Sequence, residues 1–159
     1  MGPKEYYAIA RLHSRDDPTN ISNVLAKFIG EIYQRPPQRS SVKRSTRVRT
    51  IYELDLVEQN DNNLLLRILC QAGTYVRKLI YDIGEVLGPG ATMFELRRTR
   101  VSNFREGTNG LVRLHDVVDA FETYKENGED KLLRKVVMPV EECFNAVSYT
   151  HLRAHETSQ

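Results

Sequence analysis

A chain of 159 residues is about one ordinary domain long, and a composition 40% hydrophobic and 28% charged excludes both a disordered tail and a coiled coil. No run approaches the ~20 consecutive apolar residues of a membrane helix, and the start MGPKEYY has no apolar signal region, so an intracellular protein with no membrane association is expected. The net charge of +2 hides an uneven distribution: 14 Lys and Arg stand against eight Asp and Glu from Ile32 to Arg113, but four against eight from Leu114 to Glu142, so only the first stretch suits a polyanion.

The first element, Glu5 to Leu12, alternates: Tyr6, Ala8, Ala10 and Leu12 share one side, and Tyr7, Ile9 and Arg11 the other, as in a strand. After the polar turn SRDDPTN, apolar residues at Ile21, Val24, Leu25, Phe28, Ile29 and Ile32 have helical spacing, with Thr19, Asn20 or Ser22 as the cap. Gly30 lies near the end of this helix, and Pro36 and Pro37 forbid its continuation. Two long alternating runs follow. The first carries Val48, Thr50, Tyr52, Leu54 and Leu56 on one face and the second Leu64, Leu66, Ile68 and Cys70; QNDNN between them reads as a hairpin turn.

Gly73 and Thr74 open a second helix, striped by Val76, Leu79, Ile80, Ile83, Val86 and Leu87 and closed by Gly88 and Pro89. Ala91 to Phe104 reads as another strand, Leu114 to Tyr124 as a surface helix, and a second short helix follows it. The sum is an α+β fold: a mixed, largely antiparallel sheet with flanking helices. The final segment AVSYTHLRAHETSQ has neither strand alternation nor a helical stripe and resembles a translated adapter read. Residues 1–145 are therefore expected to fold, and 146–159 to be a non-native tail.

Chemistry is concentrated in the basic stretch. Gln34 to Arg49 holds Arg35, Arg39, Lys43, Arg44, Arg47 and Arg49 with no acid among them, and its interspersed hydroxyls suit phosphate oxygens, although a solvated basic loop would look the same. Arg97 is expected on one face of its strand and Arg98 and Arg100 on the other. Arg77 falls off the apolar stripe near its helix start, where it could pair with a neighbouring carboxylate or stand in solvent. Tyr6 and Tyr75 read by default as core or surface aromatics. Cys70, Cys143 and the four histidines show no metal-ligand spacing, and there is no Gly-rich phosphate loop or nucleophile elbow, so neither a metal nor a cofactor is expected.

Three motifs, KEYYAIARLH, then GEIYQRPPQRSSVKR, then AGTYVRKLIYDIGEVLGPGATMFELRRTR, occur in the order and approximate spacing of the dyskerin and TruB family of RNA pseudouridine synthases, which the chain resembles from Lys4 to Phe144. The RPPQRSSVKR form and the ELRRTR ending look like its archaeal and eukaryotic branch, guided by H/ACA RNA, rather than the stand-alone tRNA enzyme. The resemblance implies a cofactor-free isomerase that turns uridine into pseudouridine in rRNA or tRNA. Its implied partners are the target RNA, an H/ACA guide RNA and the small proteins of that particle, and its place is the cytoplasm if archaeal or the nucleolus if eukaryotic. It also implies that Tyr6 stacks on the target base, Tyr75 walls the pocket, Leu96 packs near the uracil, Arg77 pairs with the catalytic aspartate, and Lys43 faces RNA with Arg35, Arg39, Arg44 and Arg47. That aspartate would precede the KEY strand and is expected to be absent from this chain, as is a PUA domain; a chain so cut would be inactive alone, leaving a non-catalytic RNA-binding module as the alternative.

Overall fold

The computed structural model describes residues 2–35, 45–107 and 111–141, which fall into two compact units divided between Val101 and Ser102. The first contains strands β1 (Lys4–Leu12), β2 (Gly30–Gln34), β3 (Arg47–Asn60), β4 (Asn63–Cys70) and β5 (Ala91–Val101), with helices α1 (Pro18–Ala26) and α2 (Val76–Leu87). Its strands run in the order β2-β3-β4-β1-β5, and the pairings are antiparallel. Since β1 and β4 alternate strictly, Ala8, Ala10 and Leu12 meet Leu64, Leu66 and Ile68 on one face, where Val76, Leu79, Ile80 and Ile83 of α2 and Ile21, Val24 and Leu25 of α1 complete the core. Cys70 joins this core as a free thiol, and burial pushes its pKa up.

Three local readings of the sequence change. The first helix stops at Ala26, and Ile32 lies in β2, because Gly30 takes a φ of +106° that turns the chain out of the helix. Asp17, rather than Thr19, Asn20 or Ser22, caps α1 by accepting a 2.8 Å hydrogen bond from the Thr19 N–H, with Pro18 at the first helical position. The expected face of β3 is broken: register shifts between Ile51 and Glu53 and between Leu56 and Glu58 bury Ile51 and Leu54 and turn Tyr52 out to 47% exposure.

The second unit holds the short strand β6 (Phe104–Arg105) and helices α3 (Leu114–Asn127) and α4 (Lys131–Val136), which pack on each other. Asp116 accepts a 3.1 Å hydrogen bond from the Arg113 N–H at the start of α3, and Gly128 ends that helix at a φ of +73°. The expected tail, 146–159, and Cys143 lie outside the described residues.

One contact sets how closely α2 lies on the sheet. A Cβ added at Gly84 would fall 2.0 Å from the Ala91 nitrogen and 2.6 Å from its Cβ, both of them parts of the β5 strand start rather than movable side-chain ends. Gly84→Ala is therefore expected to destabilise the chain by about 3 kcal/mol, the upper part of the overpacking range. Urea unfolding checks this: the midpoint should fall with the slope unchanged, and an unchanged midpoint would mean that α2 has room to move.

Candidate nucleic-acid interface

With Leu96 in mid-strand opposite Ala8, the register brings most of the singled-out residues toward one end of the sheet. β1 and β3 begin there, and β2, β4 and β5 finish there: Lys4 pairs with Cys70 and Val101, Ile51 with Cys70, and Gln34 with Arg47. Helix α2 starts within a few residues of Cys70, so its first turn belongs to the same end. Arg35, exposed, and Arg47, half-buried, stand at the two roots of the basic segment. Arg39, Lys43 and Arg44 lie outside the described residues.

Tyr6 packs against the core with its ring half-buried. Directly opposite it on β5 is Arg98, and opposite Ala8 is Leu96, so Tyr6, Leu96 and Arg98 share the helix-bearing face. Leu96 remains 39% exposed there, an apolar side chain left open beside a half-covered aromatic. Burial raises the pKa of the Tyr6 phenol and the nearby Cys70 pushes the same way, while the charge and hydrogen bond of the Arg98 guanidinium pull it back. The phenol is therefore a neutral ring at physiological pH, suited to stacking.

Tyr75 occupies the cap position of α2, and no side chain caps the helix there. Its backbone is held instead by Gln34, which is 1% exposed: the Gln34 Nε2 donates to the Tyr75 carbonyl at 3.1 Å, and its Oε1 accepts from the Tyr75 N–H at 2.9 Å. This clamp joins the last residue of β2, at the root of the basic segment, to the first turn of α2. Gly73, in the turn before that helix, has a φ of +85° and carries the Arg49 guanidinium against its bare Cα side.

Arg77 and Lys78 then fall in the first helical turn, which contains no acid. Lys78 is paired with Asp82, but Arg77 is exposed, with no side-chain hydrogen bond or ion pair among the described residues. A cation at a helix N-terminus opposes the helix dipole, so this corner gains from an anion placed against it. The aspartates of the first unit are engaged elsewhere: Asp16 with Asn20, Asp17 in the α1 cap, Asp55 with Arg67, Asp61 near Arg15 and Asp82 with Lys78. At the far end of the sheet, a shallow cleft of about 530 Å³ is lined by Asp16, Asp17 and Asp61 with Arg15, a charge balance that disfavours phosphate.

The sequence reading missed two members of this site. Arg98 was placed with Arg100, but Arg100 pairs with Glu5 on the other face of the sheet, leaving Arg98 beside Tyr6. Gln34 gave no signal, because a glutamine in an alternating run looks like any surface residue until its partner in space is known.

Comparison with known proteins places the whole described chain in one context. The pattern of the TruB family pseudouridylate synthase N-terminal domain matches residues 4–76, and that of the tRNA pseudouridylate synthase B C-terminal domain matches residues 77–145, the two abutting inside α2. A probable tRNA pseudouridine synthase B of Methanothermobacter thermautotrophicus is 50% identical over 139 residues, covering 87% of this chain and 42% of that protein. The corresponding protein of Saccharolobus solfataricus is 45% identical over 140 residues, covering 88% of this chain and 55% of its own length. The chain thus spans about half, or less, of these relatives. Among solved structures, a Cbf5-Nop10-Gar1 complex gives a TM-score of 0.82 at 43% identity over 91% of this chain and 44% of the matched one. An H/ACA RNP bound to a substrate RNA containing 2'-deoxyuridine gives 0.78 at 38% identity, over 91% and 42%.

The Gln34 clamp is open to direct test. Gln34→Leu keeps the volume but takes the Gln34 Oε1 acceptor from the Tyr75 N–H, while the Tyr75 carbonyl keeps the Leu79 N–H at 3.0 Å, and is expected to cost about 1–3 kcal/mol by urea unfolding. A loss under a few tenths of a kcal/mol would mean that water replaces the side chain freely.

Proposed function

The chain belongs to the TruB family of pseudouridine synthases, and from that membership we propose that it forms the uridine-handling part of an RNA pseudouridine synthase acting on rRNA or tRNA under an H/ACA guide. The observation that carries this reading is a half-buried aromatic with an open leucine on the same face, and a first-turn arginine unpaired among the described residues at the end of the sheet where the basic segment is rooted.

The reaction detaches the uracil from its sugar and rejoins it through carbon, so the target nucleotide must first leave its stack, at a cost of a few kcal/mol. Tyr6 offsets that cost by stacking on the extruded base, a contact of about 1–3 kcal/mol. Leu96 covers the base edge from β5, and Tyr75 walls the pocket from the start of α2. Arg77 takes as its anion the nucleophilic aspartate, supplied by sequence outside these 159 residues; the aspartates of the first unit, which bond to or lie near other groups and not Arg77, support this. The carboxylate would be held ionised by the guanidinium and the helix start together. Arg35, Arg39, Lys43, Arg44 and Arg47 hold the RNA backbone without reading its sequence.

The guided branch is favoured over the stand-alone tRNA enzyme by the acid-free RPPQRSSVKR segment and by the resemblance to chains solved within H/ACA particles. On this reading the partners are a guide RNA and small particle proteins of the kind named with Cbf5, and the protein works in the cytoplasm of an archaeon or the nucleolus of a eukaryote. No helix among the described residues is long and apolar enough to cross a membrane.

The test is a chimera in which residues 4–142 of this chain replace the matched stretch of the Methanothermobacter relative, assayed for pseudouridine with guide and substrate RNA. Turnover is expected from the chimera and not from the 159-residue chain alone. Arg77→Gln should cost it about 100-fold or more, the scale of a buried charge pair losing one partner at 3–5 kcal/mol. A chimera that binds RNA without turnover would favour a non-catalytic binding module, and turnover by the short chain would put the nucleophile within it.

A further inference from the structure

We propose that Glu5, on the sheet face turned away from the helices, is a positioning residue: with Thr99 it pins a bulge in β5 that keeps Arg98 opposite Tyr6. The proposal rests on the reading of Tyr6 as the base-stacking ring, and it assigns work to a carboxylate one residue away that faces the other side of the sheet.

Glu5 is 1% exposed, which is unusual for an acid and requires that both oxygens be satisfied. One accepts from the Thr99 hydroxyl at 2.9 Å and the other from the Arg67 guanidinium at 3.0 Å. Arg67 is held in turn by Glu53 and Asp55. Burial disfavours its charge, but the hydrogen bonds of Glu53 and Glu5 and the charges of Glu53 and Asp55 outweigh that and hold its pKa above the ordinary value. The network ties β1, β3, β4 and β5 together across this face.

The register shows what the network controls. Glu5 pairs with Arg100 while Tyr6 pairs with Arg98, so Thr99 is the extra residue of a bulge. Counted regularly from the Glu5–Arg100 pair, Thr99 would lie opposite Tyr6, and Arg98 would turn to the outer face beside Tyr7. The bulge skips Thr99 and returns Arg98 to the Tyr6 face, and the Glu5 carboxylate holds the skipped residue by its hydroxyl. A second bulge at Phe94 closes the other side, where the Arg11 guanidinium lies 4.4 Å from the Phe94 ring centre. The stretch from Glu95 to Arg98 that carries Leu96 is thus bracketed by two bulges, each pinned by a side chain from the outer face of β1.

The experiment follows the Tyr6 ring by its carbon resonances through an alkaline titration of the 159-residue chain, with Tyr6→Phe to assign the signal. Arg98→Gln removes the cation that lowers the phenol's pKa and should move the titration upward. Thr99→Val, which deletes only the hydroxyl, should move it in the same direction, as should Glu5→Gln, while Thr99→Ser should restore the wild-type curve. A Thr99→Val curve that overlays the wild type while Arg98→Gln shifts would overturn the proposal, and so would an Arg98→Gln curve that does not move. In the chimera, Thr99→Val should lower kcat by about 10- to 100-fold with KM within twofold, the cost of a misplacement on the scale of 1 Å. Unchanged kcat beside a shifted titration would overturn the catalytic part. An inactive wild-type chimera would instead sink the functional reading, with the titration still deciding whether Glu5 and Thr99 place Arg98.

Discussion

Strand β1 exchanges hydrogen bonds with β4 on one side and β5 on the other, and almost everything at the site follows from that double register. Its alternation sends Ala8, Ala10 and Leu12 into the core and leaves Tyr6, nearer the strand start, half-covered. A side chain at that place has an apolar floor and an open top, which is what a stacked base needs. The opposite face of the same strand carries Glu5 and Arg11, whose contacts fix the bulges of β5. One strand therefore supplies the ring, its packing floor and the pins that hold its neighbours.

Charge is arranged with the same economy of position. On the outer face Arg67 is neutralised where it stands by three carboxylates. At the start of α2, Arg77 has no side-chain partner among the described residues, and the sequence between Arg35 and Arg47 holds no acid. Surface arginines are ordinarily neutral to stability, but one in the first turn of a helix without acids is mildly unfavourable, at about 0.3–1 kcal/mol. That cost is recovered when an anion from outside the described residues is placed against the helix start.

Much of the fold was legible because its strands alternate and its helix ends are marked. The period of two in β1 and β4, and the stop at Gly88, could be read straight from the letters. What could not be read is what depends on two segments meeting. The α1 cap was missed because Asp17-Pro18 looks like a turn dipeptide until the helix beyond it is seen. The bulges at Tyr52, Phe94 and Thr99 were invisible because a single strand does not reveal its partner's count, and that error alone moved Arg98 and Arg100 onto the same face. Tyr6, Tyr75, Leu96 and Arg77 were reached through the family motifs rather than from composition; the structure puts Tyr6, Tyr75 and Arg77 toward one end of the sheet and Leu96 in mid-strand on the Tyr6 face, and Arg39, Lys43 and Arg44 lie outside the described residues.

The most direct test of the central claim is to titrate the isotope-labelled 159-residue chain with a short single-stranded RNA carrying one uridine in an adenosine-rich context and to map the perturbed resonances. The account requires the largest changes at Tyr6, Tyr75, Arg77 and Leu96, with graded, salt-sensitive changes at Arg35 and Arg47. Perturbations confined to α3 and α4, or to the Glu5–Arg67 face of the sheet, would contradict it.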